Sequence, residues 1–119
     1  MRHSVYGRKL GRDKNQRTAL FRSLVQSLIL SEQITTTEAK AKAIRGTVDR
    51  LINQAKSPES RRLISQFLVS KKVSDKLVKD LIPRLQDRNS GYSSIVRLGR
   101  RLGDDAMMVR MRLLVREKK

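Results

Sequence analysis

Apolar residues recur at helical spacing in the N-terminal third of the chain. The spacing predicts a helix that begins at Asp13, where Asp13 and Gln16 form a capping box, and that ends near Leu30. Its apolar stripe consists of Leu20, Phe21, Leu24, Val25, Leu28 and Ile29. A short β-prone stretch follows over residues 33–36, because three of its four residues are β-branched.

A second helix is predicted after residue 37. Either Thr35 or Thr37 can serve as its N-cap, and Glu38 follows as the acidic member of a capping box. One face is expected to be buried, and it consists of Ile44, Val48, Leu51, Ile52 and Ala55. Gly46 interrupts the pattern, so it marks either close packing or a position that faces solvent.

Two shorter helices are predicted between residues 57 and 88. Ser57 and Pro58 are typical of a helix start, and the expected core face of this helix is Leu63, Ile64, Phe67 and Leu68. After a break near residues 71–72, Ser74 is predicted to cap a helix with the apolar residues Leu77, Val78, Leu81, Ile82 and Leu85. Pro83 lacks an amide hydrogen, so this helix should kink or stop there.

Beyond residue 91 the period of the pattern changes from helical to two. Residues 92–100 predict a strand with Val96 and Leu98 on one face, and 107–115 predict a strand whose even positions form a basic outer face. Met107 and Met111 are expected to pack in the core, and residues 103–105 have hairpin-turn chemistry. The order of elements predicts an α+β fold: about four helices with a small, mainly antiparallel sheet, comprising a short strand near 33–36 and a C-terminal hairpin over 92–115.

Composition narrows the possible functions. The chain has 119 residues, 28 lysines and arginines against 11 acids, a net charge of +17, no cysteine and one histidine. The absence of cysteine excludes disulfides and thiolate chemistry, and a single histidine provides too few ligands for a typical zinc site or a histidine triad. No apolar run approaches the length of a bilayer span. Such a charge requires a polyanion, and nucleic acid fits best. An anionic membrane is the weaker alternative, because no segment joins a basic face to an apolar face with exposed aromatics.

The first twelve residues form a segment distinct from the rest. They are basic and show no periodicity that would bury a face, so residues 1–12 predict an N-terminal arm and 13–119 a single domain. An organellar transit peptide is the alternative for this arm. It is disfavoured because the segment is short and runs directly into a helix start.

No constellation in the sequence indicates catalysis, a metal or a cofactor. His3 and Ser4 could suggest a hydrolytic site, but Ser4 is not part of a glycine-serine nucleophile elbow and both residues lie in the arm. A polar contact of His3 with a phosphate or a base is the simpler interpretation. Asp104 and Asp105 are better explained by turn chemistry than by acid–base work. Residues 99–103 lack the spacing of a phosphate-binding loop, although two arginines there could lie near phosphate.

Three segments resemble the bacterial large-subunit ribosomal protein seventeen family over nearly the whole chain. The first segment is Met1-Arg2-His3 with residues 7–10 (GRKL) and the first helix. The second is residues 34–42 (ITTTEAKAK) with the pairs Leu51-Ile52 and Ala55-Lys56. The third is residues 91–92 and 101–107 (RLGDDAM) with the closing strand. The resemblance is least between residues 55 and 77. It implies a structural protein of the ribosome that binds large-subunit ribosomal RNA on the polypeptide exit side, beside neighbouring ribosomal proteins.

We therefore expect a non-enzymatic, cytoplasmic RNA-binding scaffold that needs no cofactor, metal or small-molecule substrate. Recognition should rely on shape and backbone, because A-form RNA hides its base edges. The predicted RNA contacts are Arg2, His3, Arg8, Lys9, Arg12, Lys14, Arg17, Arg22, Lys40, Lys42, Arg45, Arg97, Arg100 and Arg101. The alternatives are a small DNA-binding protein with a helix-turn-helix, and an enzyme acting on RNA.

Overall fold

The computed structural model of the chain describes residues 14–116, so the predicted arm and the Asp13 cap lie outside the described range. The main elements are α1 (Lys14–Ser31), β1 (Gln33–Thr37), α2 (Glu38–Lys56), α3 (Arg61–Leu68), α4 (Lys71–Asp75), β2 (Ser93–Arg100) and β3 (Met107–Leu113). Short 3-10 turns cover Pro58–Ser60 and Ile82–Leu85, and a π-helical turn over Lys76–Leu81 continues α4. The predicted α+β fold is confirmed.

The three strands form one antiparallel sheet in the order β1-β3-β2. Ile34 on β1 pairs with Met111 on β3, which in turn pairs with Ile95 on β2. Alternation along β3 places Val109 and Met111 in the core and leaves the arginines between and after them exposed. Helices α1 and α2 pack against the sheet, and the predicted inner and outer faces of β3 are confirmed.

The core draws on every helix and on the sheet. The predicted core residues Leu28, Ile44, Val48, Leu51 and Val109 are all buried. Two expectations are wrong at the flanks of helices: Leu24 is only half-buried and Leu63 is 40% exposed, because Val25 and Ile64 occupy the centre of each buried face instead. Met107 packs against the core from its margin, and Met111 is fully buried, as predicted.

The predicted helix starts need three corrections. Thr37 is the N-cap of α2, since its hydroxyl accepts from the Lys40 amide at 3.4 Å. Glu38 directly follows this cap instead of lying three residues after it, so no capping box forms. The Ser57-Pro58 signal opens a 3-10 turn, and α3 begins only after it. Ser74 lies inside α4 rather than capping it, because the chain breaks earlier, at residues 69–70.

The C-terminal end of α3 is capped by side chains from α1. Arg22 donates its Nε–H to the Phe67 carbonyl at 2.6 Å, and Gln26 donates to the Leu68 carbonyl. These donors satisfy carbonyls that have no partner within a helix end. The chain then leaves α3 through Val69, whose φ of 66° is unusual for a β-branched residue.

Two further sequence signals are settled by the structure. Gly46 faces solvent, and a Cβ added there would meet nothing within 4 Å. The helical segment predicted to kink or stop at Pro83 changes instead from a π-helical to a 3-10 turn at Ile82 and ends at Leu85, two residues beyond the proline. Within residues 14–116, no helix has both the length and the apolar character needed to cross a membrane.

Candidate nucleic-acid interface

The start of α2 and the middle of strand β2 meet at Glu38. Its carboxylate contacts Lys42 Nζ at 2.8 Å and Arg97 Nε at 2.9 Å, so one acid lies between two predicted contacts. The hydrogen bond from Lys42 is the largest cause that lowers the pKa of Glu38; desolvation opposes this shift and Arg97 adds to it. The site carries two positive charges for one negative charge and keeps a net positive charge.

The remaining predicted arginines of the hairpin are also paired with carboxylates. Arg100 lies 3.6 Å from Asp105, and Arg101 donates its Nε–H to Asp104 at 3.0 Å. The hydrogen bond from Arg101, supported by the Ala106 amide, lowers the pKa of Asp104 to about 2. Asp104 is therefore ionised at neutral pH and offsets the charge of Arg101. The predicted turn role of Asp104 is confirmed, since it also accepts from the Ala106 amide at 3.2 Å.

The predicted contacts on α2 do not share one face. Lys42 and Arg45 are exposed on the flank of α2 that carries Glu38. Lys40 precedes Lys42 by two residues, so it is rotated by about 200° around the helix axis. It is half-buried there. The structure therefore brings Lys42 together with Arg97, places Arg45 on the same flank of α2 as Lys42, and separates Lys40 from them.

The predicted contacts on α1 also differ in their surroundings. Lys14 is exposed in the first turn and Arg17 is half-buried, and neither has a carboxylate partner among residues 14–116. Arg22 instead caps α3, and its guanidinium lies 5.9 Å from the centre of the Phe67 ring. Its charge is thus used in packing α1 against α3. The predicted arm contacts Arg2, His3, Arg8, Lys9 and Arg12 lie outside the described residues.

The outer face of the sheet carries two arginines that were not among the predicted contacts. Arg110 and Arg112 are exposed on β3, the central strand, and neither has a carboxylate within salt-bridge distance in the described part of the chain. Arg110 lies between Thr35 and the exposed Val96, and Arg112 lies between Gln33 and Ser94. The period-two pattern already indicated a basic outer face here, and this signal could have identified both residues.

Aromatic side chains do not provide stacking surfaces in the described part of the chain. Tyr92 is fully buried: its hydroxyl donates to Asn53 Oδ1 at 2.6 Å, and its amide donates to Asp49 at 3.2 Å. Phe21 and Phe67 are half-buried against the core. Residues 14–116 also contain no group of three histidine or acidic residues arranged to hold a metal ion. The arrangement is suited to contacts with phosphates.

Comparison with known proteins identifies the family. The family model for ribosomal protein L17 matches residues 20–114. The chain belongs to the ribosomal protein L17 family. A large ribosomal subunit protein bL17 from Rubrobacter xylanophilus is 46% identical over 116 residues, which span 96% of this chain and 96% of the relative. The bL17 of Syntrophotalea carbinolica is 43% identical over 98% of this chain and 77% of its own length, and that of Thermodesulfovibrio yellowstonii is 44% identical over 89% and 81%.

Membership of the L17 family confirms the resemblance seen in the sequence. The segments 34–42 and 101–107 both lie inside the range that the family model matches. The DNA-binding alternative is not supported, since the relatives are ribosomal proteins. The fold agrees, because α3 and α4 are joined by Val69 and Ser70 rather than by a glycine-containing turn.

Proposed function

We propose that the chain is a structural constituent of the large ribosomal subunit, located in the cytoplasm within the ribosome, that binds large-subunit ribosomal RNA. The observation that carries this proposal is membership of the L17 family, whose relatives are named as large ribosomal subunit proteins. The net charge of +17 supports it, because a bound polyanion neutralises the mutual repulsion of so many cations. The role is architectural rather than catalytic.

The outer face of the sheet is the part of the described surface best suited to the RNA backbone. Arg110 and Arg112 are two residues apart on one face of a strand, so their Cα atoms lie about 7 Å apart. Neither guanidinium is occupied by a carboxylate of residues 14–116, which leaves both planar forks free to make bidentate contacts with phosphate. Lys42, Arg45 and Arg97 form a separate basic surface, because Arg97 pairs with the buried Val109 and therefore lies on the face of the sheet that α2 covers.

The resemblance to the family supports two finer parts of the proposal. The protein binds on the polypeptide exit side of the subunit, beside neighbouring ribosomal proteins. Residues 1–12 form a basic arm that follows or enters the RNA. The arm has no apolar face to bury, so its arginines are available for phosphate contacts. Recognition is by shape and backbone, in keeping with the lack of an exposed aromatic ring among residues 14–116.

A salt titration of binding tests the proposal. The full chain is titrated against large-subunit ribosomal RNA and against duplex DNA at matched salt, and RNA is expected to bind more tightly. The variant Arg110→Gln/Arg112→Gln should weaken RNA binding and reduce the log–log salt slope by about one per residue. Equal affinity for RNA and DNA would contradict the proposal.

The matched control removes the same charge elsewhere. Arg50 and Arg62 are exposed on α2 and α3, away from the outer sheet face, so Arg50→Gln/Arg62→Gln should change the slope much less. Equal losses in the two variants would show that only net charge matters. That result would refute the assignment of the surface.

The arm is tested by the triple variant Arg8→Gln/Lys9→Gln/Arg12→Gln. It should lower RNA affinity and flatten the salt slope by about one contact per residue. The unfolding midpoint should stay unchanged, because the arm precedes the core-forming helices. An unchanged salt slope would show that the arm does not contact phosphates.

A further inference from the structure

A second group of arginines surrounds a cleft at the end of the sheet opposite the hairpin. The cleft has a volume of about 750 Å³ and lies between the 3-10 turn that ends the α4 segment and the residues that follow β3. Four arginines line it, and we call them the cleft arginines: Arg84, Arg88, Arg112 and Arg116. None of them was among the contacts predicted from the sequence.

The walls of the cleft are held in place by ion pairs and backbone hydrogen bonds. Arg84 is 13% exposed, and its Nη2 lies 2.8 Å from Glu32 and 3.3 Å from Asp80. Its Nη1 donates to the Arg116 carbonyl at 3.2 Å, and the Arg116 amide donates back to the Arg84 carbonyl at 3.1 Å. The Leu114 amide donates to the Tyr92 carbonyl at 2.8 Å. The site is therefore formed before a ligand arrives, which lowers the entropic cost of binding.

The charges of the lining are not balanced within the described residues. Four arginines line the cleft with two carboxylates, Glu32 and Asp87. Glu32 is paired with Arg84, and Asp87 lies 3.3 Å from Arg116. Arg88 and Arg112 have no carboxylate within salt-bridge distance among residues 14–116. Two guanidinium groups at a fixed concave surface are thus left for an anion.

We propose that this cleft binds phosphates of the ribosomal RNA backbone, so that the chain contacts RNA at both ends of its sheet. The inference rests on the proposed function and extends it to a surface that the sequence did not indicate. β3 has seven residues, so the cleft lies about 20 Å from the hairpin end of the strand. Arg112 belongs both to the cleft and to the outer sheet face, and this continuity favours RNA over an acidic peptide as the ligand.

The test compares two double variants of the full chain in binding to large-subunit ribosomal RNA. Arg88→Gln/Arg116→Gln removes two cleft arginines without touching the outer sheet face, and Arg50→Gln/Arg62→Gln is the control of equal charge. The cleft variant should reduce the log–log salt slope by about one, because Arg88 is unpaired whereas Arg116 is already paired with Asp87, while the control leaves the slope nearly unchanged. Unfolding midpoints of both variants are measured alongside, because Arg116 also donates to the Pro83 carbonyl.

The outcomes separate this inference from the proposed function. An unchanged slope in the cleft variant, or equal losses in cleft and control variants, would overturn the cleft site while RNA binding by the unmodified chain still stands. If the unmodified chain does not bind the RNA, the proposed function itself fails.

Tethered cleavage gives a second measurement that does not depend on affinity. The chain has no cysteine, so Gln86→Cys beside the cleft and Leu102→Cys at the hairpin each provide a unique attachment point for iron-EDTA. Within large subunits, both probes should cleave ribosomal RNA. Cleavage from residue 102 alone would show that the cleft faces protein or solvent, and it would overturn the proposal.

Discussion

Tyr92 provides a sharp test of the assignment of aromatic residues to core or to RNA contact. Its side chain is fully buried, and its hydroxyl donates to Asn53 and approaches the Arg88 carbonyl at 3.2 Å. In Tyr92→Phe the ring packing is kept and the hydroxyl contacts are lost. Asn53 is exposed, so water can replace the lost hydroxyl there, and the Arg88 carbonyl keeps the Lys56 ammonium as a donor. We therefore expect a loss of about 1 kcal/mol of unfolding free energy, the net value of one ordinary hydrogen bond.

Tyr92→Ala should cost far more, because it also leaves a cavity. Truncation of a buried aromatic residue typically costs about 3–5 kcal/mol. Urea unfolding of the full chain followed by circular dichroism measures both losses, and the salt titration against ribosomal RNA measures function. Tyr92→Phe should bind RNA like the unmodified chain. A stable Tyr92→Ala variant with weakened RNA binding would refute the reasoning, since it would show that the ring stacks on a base.

Three other predictions concern stability and titration. Gly46→Ala should raise the unfolding free energy by about 0.5–1 kcal/mol, because the position is exposed inside a helix and has room for a Cβ; a lower urea midpoint would contradict this. Leu51→Ala should lower it by about 2–5 kcal/mol, and an unchanged melting temperature would show that the buried face of α2 is misassigned. The Asp104 carboxyl should titrate near pH 2 by NMR, so its contribution to hairpin stability is present above about pH 4 and is lost as the pH falls through 2; a midpoint near 3.8 would show that Arg101 does not hold it.

The sequence predicted those parts of the fold that depend on periodicity. The buried face of α2 and the alternation in β3 followed from one residue pattern each, since a long regular pattern specifies which side faces the core. Leu24 and Leu63 were misassigned because periodicity gives the direction of a helix face but not its width. The width depends on the neighbouring element that covers the flank. The helix starts at residues 58–61 and 71 were also missed, since a serine can precede a turn as readily as a helix.

The basic surface was less predictable, because a sequence does not show which charges are already paired. Arg22 caps a carbonyl 45 residues away, and Arg97 shares a carboxylate with Lys42 across two elements. These partners come from tertiary packing. In contrast, the separation of Lys40 from Lys42 follows from helix geometry alone, and the outer face of β3 followed from its alternation. The cleft brings Arg84 and Arg88, which precede β2, together with Arg112 and Arg116 at the end of β3, so no local pattern indicated the cleft itself.

Co-sedimentation with ribosomal subunits shows whether the chain is a constituent of the large subunit. Lysate from cells that carry the tagged full chain is washed at high salt and separated on a sucrose gradient, and the tag is followed across the fractions. We expect the chain to stay with the large subunit after the wash, since many phosphate contacts at a defined site hold it there. Release into the soluble fractions, or sedimentation with DNA instead of large subunits, would contradict it.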